Sequence, residues 1–180
     1  IPLKVHALPF QAQDQAVAAC ATISLWIANS KLNDTFRTPP LSPVEITNRA
    51  ISLIGDGRNL PSEGLTLKQM LAFLRSIELD YDIVNISGMM KLTRSKKCSK
   101  LKRVKSAKKI ENIISDTVKA FIPAKIPIIV GIRLNKYGQN IYGRKLLEKS
   151  VLHAVVISGF RQDLDGNITK LYVHDDQIGP

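Results

Sequence analysis

The chain has 180 residues, a length that suits one well-packed domain, with room for two lobes sharing a cleft, and not a string of domains. A hydrophobic content of 44% is that of an ordinary globular protein, and no apolar run approaches the roughly 20 residues needed to cross a bilayer. The net charge of +11 comes from one stretch: Lys91, Arg94, Lys96, Lys97, Lys100, Lys102, Arg103, Lys105, Lys108 and Lys109 have no acid among them, and taking those ten from the 26 basic residues leaves 16 against 15 acids.

Nothing at the amino end has the charged-then-apolar pattern of a secretion leader. Two cysteines in very different settings argue against a disulfide framework and fit a reducing, cytoplasmic compartment. The chain begins at Ile1 without a methionine and stops on Gly179-Pro180 straight after a strand-like segment, so it reads as a piece of a longer protein.

Ile1 to Phe10 is a mixed lead-in closed by Pro9. Gln11 to Trp26 then runs from a glutamine-rich loop through Cys20 into small and apolar residues. That pattern places a thiol at the first turn of a buried helix, expected over about Val17 to Ala28 with Val17, Ala21, Leu25 and Ala28 on one apolar side. Free first-turn amides and the helix dipole favour a thiolate there, which makes Cys20 a candidate nucleophile. The plainer reading is a small core residue, since free cysteine is among the most buried types.

Asn29 to Pro40 reads as loop. Ser42-Pro43-Val44-Glu45 is a capping pattern that opens a helix to Ile54, with Gly55 as its left-handed stop. Thr66 to Gln69 repeats the pattern and opens a helix to about Leu79, with Leu67, Met70, Leu71, Leu74 and Ile77 as its buried stripe. Tyr81 to Ile86 alternates as a short strand. The basic segment, Lys91 to Lys109, is either a solvated insertion or a surface for an anionic partner. With almost no aromatic interleaving it suits phosphate backbones or acidic lipid, not base readout. Ile110 to Phe121 marks another helix, stopped by Pro123.

Three strands follow, at Pro127 to Leu134, Val151 to Phe160 and Lys170 to Asp175. The last two are joined through Gln162 to Asn167, where Asp165-Gly166 is a hairpin signal. The Asp163-to-Asn167 string lacks the distal glutamate of a calcium loop. Helices first and strands after make the fold class α+β.

His153 sits inside the apolar run Val151 to Ile157. It is either a satisfied core histidine or a base for the thiol, its two nitrogens needing a partner each. In Leu171-Tyr-Val-His-Asp-Asp176 strand alternation puts Leu171, Val173 and Asp175 on one face and Tyr172, His174 and Asp176 on the other. The Leu/Val face is expected to be the core face. Asp175 then either caps a turn or holds the imidazole of His153, with Asp176 and His174 pointing away.

A helix-leading cysteine after glutamines, a histidine 133 residues later in a strand, and an aspartate closing the next strand resemble the papain-like cysteine peptidases. The nearest branch is the aspartate-using one that includes bacterial peptidases cutting double-glycine leaders. The resemblance spans the chain from the glutamine loop to Asp175. It implies a two-lobed fold in one domain over 1–180: a helical lobe about 11–121, with the basic segment 91–109 as an insertion, packed against an antiparallel β lobe about 125–180. It also implies a Cys20–His153–Asp175 triad without cofactor or metal, acting on protein or peptide amide bonds through an acyl-enzyme. An acyltransferase or deamidase would use the same site, and a non-enzymatic basic module binding nucleic acid or anionic membrane is the reading of a different class.

The family also uses a glutamine six residues before the cysteine to bind the oxyanion, a position held here by Asp14. Gln13, one residue further off, serves if the loop bulges, and Gln15 remains the alternative. Ala19 and Ala21 flank Cys20 where leader peptidases usually have a glycine. Cys98, among the cations, has no matched base.

Overall fold

Four helices precede a three-stranded antiparallel sheet in a computed structural model that describes residues 8–11, 19–52, 64–86, 89–90, 99–139 and 145–176. The class is α+β. Helix α1, Cys20–Phe36, runs eight residues past its expected end. The asparagines that read as loop signals are held by the chain that folds back over them. Asn29 donates to the carbonyl of Pro39 at 2.8 Å, Asn33 donates to that of Thr38, and the Thr38 hydroxyl returns a bond to the Asn29 side chain at 3.2 Å. These long-range bonds outweigh the weak helix propensity of asparagine. The helix ends where Arg37 turns left-handed, at φ 61°.

Helix α2, Pro43–Ser52, starts with the reciprocal cap its sequence predicts: the Ser42 amide donates to the Glu45 carboxylate at 2.8 Å, and the Glu45 amide to the Ser42 hydroxyl at 3.3 Å. Its expected stop, Gly55, lies outside the described residues. Helix α3, Leu67–Ser76, opens with the same box from Thr66 and Gln69. It stops three residues early, where Glu78 turns left-handed and the Leu79 amide reaches back to the Leu74 carbonyl at 3.0 Å. Its buried centre is Phe73, fully enclosed, while Leu67 of the expected stripe is exposed.

Residues 81–86 form no strand pairing among the described residues, and Ile83 and Val84 are exposed. Alternation alone does not make a strand when no ladder partner lies beside it. The last ten residues of the basic segment belong to helix α4, Lys100–Phe121, which is capped by Ser99 and so starts ten residues before the helix expected from Ile110.

Strands β1, Ile128–Gln139, β2, Lys145–Gln162, and β3, Ile168–His174, form the sheet in the order β1-β2-β3. All are antiparallel, with Ile132 opposite His153 and Val156 opposite His174. The β2–β3 hairpin closes as predicted, with Gly166 at φ 80°. The Asp163 carboxylate in that turn accepts from the amides of Asp165 and Asn167, so it is spent on the turn.

Helix α1 sits at the centre and is buried along both sides, not along one stripe. Ala21 and Leu25 pack with Ile46, Ala50 and Phe73 of α2 and α3. Ile23 and Ile27 pack with Val156 of β2, and Trp26 and Ile129 touch both clusters. Cys20, as the first residue of α1, is thereby fixed against the sheet.

Candidate active site

Ala19 caps α1 without any side-chain bond, which leaves the first-turn amides around Cys20 open to the thiol. The thiol is partly buried, and the backbone amide of Ala154, next after His153, hydrogen-bonds to it. Burial pushes the Cys20 thiol up, and an ionised Asp176 adds to this, whereas the amides of Ala154, Ala21 and Cys20 itself pull it down. The net direction is upward. The helix start therefore does not make a resting thiolate; desolvation is the larger effect at this depth.

His153 is 3% exposed, and its Nε2 lies 3.0 Å from Oδ1 of Asp175. The two come together because β2 and β3 are adjacent, and Asp175 follows the last ladder residue of β3, His174, which faces Val156. The same Nε2 has a second carboxylate at 3.5 Å, that of Asp176.

The Leu/Val face of this strand is not a core face, although Asp175 meets His153 as expected. Leu171, Tyr172 and Val173 are 38–52% exposed, whereas His174 and Asp176 are 2% and 3% exposed. β3 is an edge strand, so its apolar residues are half-covered at best, and the interior takes the polar side chains that close the site. His174 stacks on Phe10, ring centroids 6.4 Å apart, and its buried Nε2 has no hydrogen-bond partner among the described residues. Burial holds the His174 imidazole below its ordinary value, and so neutral. Asp176, expected to point away, is buried beside His153. The signal was there in the paired Asp175-Asp176, because strict alternation lapses where a strand ends.

His153, Asp175 and Asp176 bring one ligand-type atom each within 4.8 Å of one another, and the Cys20 sulfur is not a member of that trio. Since Nε2 is already committed to Asp175, the arrangement is that of a hydrogen-bonded array around an imidazole. Gln13, Asp14, Gln15 and Cys98 lie outside the described residues. An open depression further along α1, lined by Trp26, Asn29, Asn33 and Leu41, includes none of the site residues. No helix among the described residues is long and apolar enough to cross a membrane.

No protein-family model matches the chain, and neither a curated protein nor a solved structure matches it.

Proposed function

We propose that the protein is a cysteine peptidase of papain-like, two-lobed architecture, nearest the double-glycine leader peptidases, in which Cys20, His153 and Asp175 form the catalytic triad. The observation that carries this reading is the 3.0 Å bond from His153 Nε2 to Asp175, formed beside a thiol that the next residue's amide reaches. An imidazole whose Nε2–H is held by a carboxylate presents its other nitrogen as a base, and the carboxylate steadies the cation that forms. His153 takes the Cys20 proton as sulfur attacks the carbonyl carbon. The C–N bond then breaks, the proton passes to the leaving amine, and water hydrolyses the acyl-enzyme. A thiol pushed up by burial suits this order of events, with deprotonation coupled to attack. Gln13 is the proposed oxyanion donor on the resemblance of the loop, together with the Cys20 amide.

The test is labelling by an acyl-type thiol probe. Cys20→Ala should abolish it and Cys98→Ala should keep it, whereas equal labelling of Cys20→Ala would remove the enzyme reading.

The basic half of α4 supports a second role. Lys100, Lys102, Arg103, Lys105, Lys108 and Lys109 crowd the amino end of a helix whose first turn has no acid, which opposes the helix dipole. Leu101 and Val104 among them are 65% and 58% exposed. Cations interleaved with exposed aliphatic residues on one helix suit an anionic lipid surface, and negative charge there relieves the dipole conflict. Binding to vesicles rich in acidic lipid at low salt is the expected result; binding to nucleic acid alone would assign the helix to that partner instead.

A further inference from the structure

Asp176 is the most heavily buried carboxylate at the site, its side chain 2% exposed, and neither of its oxygens finds a hydrogen-bond donor of good geometry among the described residues. An ionised carboxylate left this way costs a great deal. Its neighbours are His153 Nε2, at 3.5 Å and already bonded to Asp175, and the Asp175 carboxylate, within 4.8 Å and itself an acceptor when ionised. A single proton on Asp176 resolves both problems. We propose that Asp176 sits in the site as a neutral acid that donates a hydrogen bond to Asp175, and so positions the Asp175 carboxylate on His153. This deepens the peptidase reading and rests on it.

Three further observations agree. Burial is the leading influence on Asp176 and pushes its carboxyl up, with the nearby Asp175 adding to the rise and His153 opposing it. Two carboxylates on one imidazole nitrogen, at 3.0 and 3.5 Å, share a proton more readily than two charges, as close like charges do not both ionise. The groups that act on Asp176 are His153 on β2 and Asp175 beside it, and Asp176 in turn acts on Cys20 at the start of α1. An ionised Asp176 raises the Cys20 thiol; a neutral one does not, so the proton also spares the nucleophile.

The experiment is carbon NMR of the whole protein labelled at the aspartate carboxyls, with the Asp176 signal assigned from Asp176→Asn, alongside the proton signal of His153 Nε2–H. The expected result is a neutral-acid signal for Asp176 at neutral pH. The Nε2–H signal should be kept in wild type and in Asp176→Asn, whose amide can still donate to Asp175, and lost in Asp176→Ala. The pH profile of Cys20 alkylation should overlay for wild type and Asp176→Asn. An ionised Asp176 signal, a profile moved to lower pH by Asp176→Asn, or an Nε2–H signal indifferent to Asp176→Ala would each overturn the proposal. If Cys20 proves inert while both NMR results hold, the peptidase reading fails and the role of Asp176 stands.

Discussion

His153 Nε2 and Asp175 Oδ1 meet at 3.0 Å across the end of the β2–β3 pair, in a pocket where the imidazole is 3% exposed. A hydrogen bond of this length to a buried ring fixes both its orientation and its tautomer. Replacing the carboxylate with an amide, Asp175→Asn, is expected to lower Cys20-dependent turnover by up to about 10⁴-fold, the scale of such exchanges in triads. Kinetics on an activated acyl substrate check this, with thermal unfolding to show that the fold is kept.

The packing of α1 against α2 and α3 turns on Phe73, whose side chain is wholly enclosed among Leu25, Ile46 and Ala50. Phe73→Ala should cost about 3–5 kcal/mol, from lost transfer energy and the cavity left behind. Urea unfolding measures it. Because the same cluster seats α1, Cys20 labelling should fall as the fold loosens.

At the start of α3, Thr66 accepts the Gln69 amide and Gln69 returns a bond to the Thr66 amide. Thr66→Ala should cost about 1 kcal/mol and leave Cys20 reactivity unchanged, since the box is local. Denaturation midpoints and probe labelling separate the two effects.

His174 is buried neutral, so its folded value lies below the ordinary 6.5. The unfolded chain therefore takes up the proton first as pH falls. Stability from this group is complete above about 6.5 and declines as pH drops toward the lowered folded value. Asp176 has the opposite sign: raised in the fold, its contribution is complete below 3.8 and is lost as pH rises through the folded value. Between neutral and mildly acidic pH the two groups oppose each other, so unfolding midpoints should rise more steeply on acidification in His174→Gln than in the wild type.

Charge reversal on α4, with Lys102, Lys105 and Lys109 each changed to Glu, should abolish binding to acidic vesicles. Each cation near such a surface is worth about 1 kcal/mol, and added salt should weaken the wild type in the same direction. Vesicle co-sedimentation across a salt series reads both.

The parts of this fold that were legible in the sequence are those held by bonds a few residues long. The Ser42–Glu45 and Thr66–Gln69 boxes and the Gly166 turn each close within four residues, so their residue types announce them. The meeting of His153 with Asp175 was legible for a different reason, as a pattern of chemistry. The extra turns of α1 were not, because Asn29 and Asn33 are satisfied by Thr38 and Pro39 only after the chain has turned back. Nor was the fate of residues 81–86, whose alternation found no partner strand.

By itself the sequence determined which residues could do chemistry and where the local starts and stops fall, because capping, turn geometry and side-chain type act at short range. Only the tertiary structure decided what surrounds the thiol and the imidazole. The edge position of β3 turned His174 and Asp176 inward, and the packing of α1 between two apolar clusters buried Cys20 enough to outweigh its helix start. Burial is a sum over neighbours distant in the chain, and that sum brought Asp176 into the array around His153.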